Sequence, residues 1–254
     1  MLSLIIWSCG IALEALLVYR GFRAGLLTKY SNFYAYVFVL LVSDGLGLPL
    51  YFKNPKLYES WSWFGGFVIL FLGCGIILEI FRHVLSPYAG AEKFARFAGF
   101  AILAAVLGFA VLYHFFVPDV SAARVLYFRL QRDFLTAQAI LLFGLLQVIS
   151  YYGISMGRNL KGMILGYGQT LGVTLIALAL RSFIGARFQS AWDLTQQVSY
   201  VAALVVWLVA LWSYCANPVP EATIGADADY EALATRTRNM VGSASTELIK
   251  VNRL

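Results

Sequence analysis

Three arginines and an aspartate, Arg124, Arg129, Arg132 and Asp133, stand at the head of a stretch, Phe134 to Tyr152, that carries no charge. A guanidinium grips a carboxylate or phosphate through two parallel hydrogen bonds, so arginines at the lip of an apolar stem can hold an anion. Arg129 and Asp133 lie four apart on one helix face, and Arg132 is one position off it. Asp44, His114 and Arg181 fall at similar depth in other apolar runs. Pairing Asp133 with Arg129 or Arg132, and Asp44 with Arg181, leaves one positive charge over. The candidate ligand-binding set is therefore Asp44, His114, Arg129, Arg132, Asp133 and Arg181, with an anion or a lipid headgroup as the ligand. The competing reading is structural ion pairing, with the surplus arginine snorkelling to headgroups.

A second set, Glu14, Glu79, Arg82 and His83, belongs to the opposite layer together with Arg158. Glu79, Arg82 and His83 share a face at i, i+3 and i+4. The expectation is an interhelical lock in which Glu79 pairs with Arg82 and Glu14 competes for the same partner. A pH-sensitive or partner-docking role for His83 is the alternative. Between the layers, Ser43 to Pro49 (SDGLGLP) places two glycines and a proline beside Asp44. Such a segment is either a broken helix lining a site or a proline kink against a neighbour. Gly168 and Gly172 form a small-xxx-small face expected to pack closely on another helix.

The elements that must position these residues are apolar runs. Of the 254 residues 61% are hydrophobic and 13% charged, with mean hydropathy +0.76. Soluble domains carry about 25% charged residues, and about 20 apolar residues span the hydrocarbon core. Seven runs qualify, near residues 2–19, 32–52, 63–83, 95–117, 124–152, 160–184 and 196–215. The fold class expected is all-α, a polytopic bundle of seven transmembrane helices over 1–216 with a polar tail over 217–254. Asp229 can cap a short amphipathic helix in a tail otherwise expected to be disordered. Neither a cleavable signal peptide nor room for a folded effector domain is expected. Basic residues favour the loops after the first, third and fifth runs and the tail by twelve to seven, which places the amino terminus outside and the carboxyl terminus in the cytoplasm.

Several functions are disfavoured by residue type. The pI near 9.2 reflects cytoplasmic loops rather than nucleic-acid binding. Cys9, Cys74 and Cys215 sit singly in predicted spans and lack metal-ligand spacing. The last run has no lysine for a retinal Schiff base, and two histidines at opposite ends hold neither a bis-histidine haem nor a multi-histidine zinc. Protease and hydrolase motifs are missing. No catalytic residue, metal or cofactor is expected, and the chain reads as a non-enzyme.

The chain resembles a group of functionally uncharacterised bacterial membrane proteins with seven helices and no effector domain. Glu79-x-x-Arg82, Arg132, and the run from Tyr151-Tyr152-Gly153 through Asn159 to Gly162 and Gly166-x-Gly168 carry the resemblance. It implies a seven-helix fold and a multi-pass place in the inner (cytoplasmic) membrane, and no substrate. The function expected is that of a receptor-like sensor binding a small or lipidic anion near the outer side and signalling through a separate protein partner. The alternatives are a non-catalytic subunit or scaffold of a larger membrane complex and, third, a small-molecule transporter. The lipid bilayer is the other expected partner.

Overall fold

Every described element is an α-helix, as a chain with long charge-poor runs requires, because backbone N–H and C=O groups in hydrocarbon must bond within their own segment. The computed structural model describes residues 2–85, 120–184 and 189–217, and a few positions between 232 and 239; for 120–130, 181–184 and 189–192 it describes the backbone. Six helices result: α1 (Leu2–Arg23), α2 (Ser31–Lys53), α3 (Pro55–Leu85), α4 (Val120–Tyr152), α5 (Arg158–Ile184) and α6 (Gln189–Ala210). The apolar run expected near 95–117, and His114 with it, lies outside the described residues.

Five helical segments are long and apolar enough to cross a membrane: Ser3–Arg23, Ser31–Lys53, Pro55–Leu85, Gln131–Tyr151 and Asp193–Ala210. The chain is accordingly a multi-pass membrane protein. α5 is more polar, and the fold accommodates this within the bundle. Thr170 and Thr174 each donate to the carbonyl four residues back, and the Gln169 amide donates to the Ser199 carbonyl and hydroxyl on α6.

The third apolar run begins earlier than hydropathy indicates. Asn54 both ends α2 and starts α3: its N–H bonds to the Leu50 carbonyl, while its Oδ1 accepts from the Leu57 N–H at 3.2 Å. Pro55 follows at the first helical position, where a missing N–H costs nothing. α2 runs unbroken through Ser43–Pro49, so the broken-helix reading gives way to a continuous helix. Gly47 is buried there, 3.6 Å from the Trp7 and Tyr58 rings to its would-be Cβ.

The helices close a ring in chain order, each touching the next and α6 returning to α1, while α3 also reaches α5 across the middle. Trp207 of α6 fills the centre at 0% exposure, edge-on to Phe33 at 5.1 Å and Tyr36 at 6.3 Å, and its indole N–H points at the Met163 carbonyl. Tyr36 in turn meets Tyr167 edge-on. Close approach of α5 and α6 depends on Gly162 and Gly166, whose missing Cβ atoms would land inside the Ala210 methyl and the Trp207 indole. The glycine pair read from the sequence does not have that role: Gly172 has open space and Gly168 only an ordinary contact with Leu142. Gly162→Ala is expected to force α5 and α6 apart at a cost of about 1–3 kcal/mol, read as a lower midpoint in detergent melts. Gly172→Ala is the control that leaves the midpoint unchanged.

Candidate functional site

At one end of the ring the chain beyond α6 is tied down. Asn159, fully buried, donates to the Ser213 carbonyl and accepts from the Cys215 N–H at 2.9 Å. The Arg158 guanidinium donates to the Ser213 hydroxyl, and Arg20 donates to the Trp212 carbonyl while its guanidinium carbon lies 4.2 Å from the Trp212 ring centroid. Lys29 sits 3.2 Å over Tyr214, and the Asn217 side chain accepts from the Gly157 N–H and donates to the His83 carbonyl. Residues Leu211–Asn217 thus form a strap across this end, which is why α6 stops at Ala210 and not near 215.

Glu79, expected to pair with Arg82, instead reaches the first turn of α2 beside this strap. Its carboxylate accepts the Phe33 N–H at 2.8 Å, the Asn32 N–H at 3.1 Å and the Ser31 hydroxyl at 3.5 Å. The residue before that turn, Tyr30, offers no side-chain cap. A helix start carries orphan N–H donors and partial positive charge, so a carboxylate lent by a neighbouring helix answers both. Arg82 is exposed. His83 bonds through Nδ1 to the Glu79 carbonyl and stacks on Tyr30 at 5.0 Å. The lock is a helix cap rather than an ion pair.

Nor does the arginine layer converge on a described pocket. Arg132 and Asp133 contact each other at 3.3 Å with side chains 60% and 41% exposed, a surface pair that contributes little. The inward face of α4 at this depth carries buried Phe134 and Gln138 instead. Gln138 donates to the Leu70 carbonyl and Cys74 Sγ, and accepts from the Tyr167 hydroxyl at 2.8 Å. This satisfied network knits α3, α4 and α5 beside a small cavity of 190 Å³. The side chains of Arg129 and Arg181 lie outside the described residues.

Asp44 and Glu14, which depth alone assigned to separate layers, meet. Glu14 is the thirteenth residue of the 22 in α1 and Asp44 the fourteenth of the 23 in α2. Antiparallel neighbours of equal length cross at their middles, so the two carboxyls face each other, and Asp44 also lies against the Trp7 indole. Glu14 is 0% exposed; its Oε1 accepts from the Tyr200 hydroxyl of α6, while its Oε2 has no hydrogen-bond partner among the described residues. From Asp44 and Tyr200, in front of Glu14, a cavity of 640 Å³ rises between α1, α2, α3 and α6 towards the end opposite the strap.

The spacing that builds the cavity is regular. Trp7, Gly10 and Glu14 stand at i, i+3 and i+7 on α1; Asp44, Gly47 and Tyr51 do so on α2, which puts each trio on one face. Gly10 leaves open volume, since a Cβ there would first meet Tyr200 at 3.9 Å. Gln197 closes the side wall by donating to the Ser3 hydroxyl at 2.8 Å, and its own carbonyl oxygen has no partner. Trp7, Tyr51 and Tyr58 form a cluster at the mouth, their centroids 5.4–6.4 Å apart and each pair steeply inclined. No lysine, arginine or histidine is among the described residues lining it. Ligand sites are concave, of about 300–1,000 Å³, and mix aromatic walls with a few convergent polar groups; this cavity has that make-up. A sequence signal for it existed in the two i, i+3, i+7 trios, each combining a carboxyl, a glycine and an aromatic. No protein-family model, curated protein or solved structure matches the chain, so the resemblance to seven-helix bacterial membrane proteins rests on the residues that carry it.

Proposed function

We propose that the chain is a receptor-like protein of the inner (cytoplasmic) membrane that binds a small ligand in the cavity between α1, α2, α3 and α6 and signals through a separate partner. The observation that carries this reading is the 640 Å³ cavity lined by the Asp44 carboxyl at mid-helix depth, with the fully buried Glu14 packed behind it. Buried ionisable groups are costly in a membrane and are characteristic of functional sites. Two features support an orientation with the cavity facing outward. Arg20, Arg23, Lys29, Arg82, Arg158 and Lys161 gather at the strap end, as cytoplasmic segments do. The amino terminus of α1 lies at the cavity end, with Ser3 in the lining. A total of seven crossings is supported because α3 ends and α4 begins at opposite ends of the bundle.

The anionic ligand expected from the arginines finds less support than the cavity itself. The described member of that layer with a resolved side chain, Arg132, faces outward. Native mass spectrometry of protein extracted gently from its host membrane tests the reading. A stoichiometric small-molecule adduct is expected on the wild type and is expected to vanish from Gly10→Leu, which fills the cavity without removing a polar group. Stoichiometric protein partners with no small molecule would replace this reading with that of a complex subunit.

A further inference from the structure

The lining sorts possible ligands by charge. One carboxyl, Asp44, lines the cavity and a second, Glu14, lies against it from behind; among the described lining residues no cation answers them. A carboxylate removed from water without a partner is strongly disfavoured, so this lining favours a ligand that brings a positive charge. In the wall, the Gln197 carbonyl oxygen has no hydrogen-bond partner among the described residues and offers a further acceptor. Above these groups, Trp7, Tyr51 and Tyr58 stand at 59–81° to one another, so different rings offer faces and edges from different directions. Tyr51 is 49% exposed, so its ring remains accessible to an incoming molecule. Ring faces are negative and attract ammonium groups within about 6 Å.

We infer that the cavity takes a small organic cation, an ammonium head seated against Trp7, Tyr51 and Tyr58 with its charge answered by Asp44 and Glu14. A bare metal ion is the poorer fit, because no group of three or more metal-ligating side chains occurs among the described residues and Asp44 is the one carboxylate among the described residues lining the cavity. The inference deepens the receptor reading and rests on it.

Calorimetric titration of the full-length protein in detergent tests this, using choline and its uncharged carbon isostere 3,3-dimethylbutan-1-ol. Choline is expected to bind at least about tenfold more tightly than the isostere, the difference that about 1.4 kcal/mol of cation–π and ionic attraction makes. Asp44→Asn and the exposed Tyr51→Leu should each weaken choline about tenfold or more without altering the melting midpoint, and Tyr51→Leu guards against loss of folding in the carboxyl variant. Equal binding of choline and the isostere would overturn the cation inference and leave the receptor reading standing. So would a retained native ligand that is neutral or anionic together with no choline binding. Absence of any retained small molecule and of any binding would overturn both.

Discussion

Truncating Trp207 to alanine is expected to lower the unfolding free energy by about 3–5 kcal/mol, the cost of emptying a fully buried indole site. Trp207 touches two helices besides its own: α2 through Phe33 and Tyr36, and α5 through Gly166 and the Met163 carbonyl. Gly166 has no side chain with which to collapse into the vacated volume, and the aromatic neighbours are rigid. Chemical denaturation in mixed micelles measures the effect. Trp207→Phe, which keeps most of the packing, should recover more than half of the loss. A drop below about 1 kcal/mol would show that the ring is not held together at its centre.

Glu79→Ala is the second large expected effect, at about 2–4 kcal/mol, because it strands the Asn32 and Phe33 N–H groups at a helix start with no other described acceptor. Glu79→Gln keeps an acceptor but loses the charge that complements the helix terminus, and should fall between the two. Amide hydrogen exchange localises the damage: the first turn of α2 should exchange faster in Glu79→Ala while the first turn of α3, capped by Asn54, stays protected. Equal acceleration in both turns would mean that Glu79 acts on global stability rather than as a cap.

Helices were legible in the sequence because hydrophobic length is a local property, and α1, α2 and α4 lie close to the runs that announced them. The start of α3 at Pro55 was written in Asn54-Pro55, a capping residue followed by the proline that helix starts accept, but the less apolar turn after it masked the signal. The end of α6 was not legible, because Asn159 and Arg20 draw Leu211–Asn217 out of helical conformation from 50 to 200 residues away. The same distinction holds at the site. Ordering charges by depth set Glu14 apart from Asp44 and paired Glu79 with Arg82, and the contacts differ on both counts. Glu14 and Asp44 sit near helix midpoints, where depth does not separate one layer from the other. Glu79 had Arg82 within reach on its own helix, yet two backbone N–H groups of α2, invisible to any reading of side chains, bind it instead. Arg132 looked inward by charge; the buried face of α4 is set by Phe134 and Gln138, and Arg132 points elsewhere.

Because the ring closes in chain order, its synthesis has a direction. As each helix leaves the ribosome it can dock on the one before, so most of the bundle assembles from neighbours already in the membrane. The seam between α1 and α6 is different, since its two sides lie far apart in sequence. Until α6 arrives, Glu14 lacks the Tyr200 hydroxyl and the strap has no residues with which to span the far end. A nascent chain interrupted before α6 would therefore leave Glu14 without its Tyr200 partner, which makes the α1–α6 seam the contact that closes the ring.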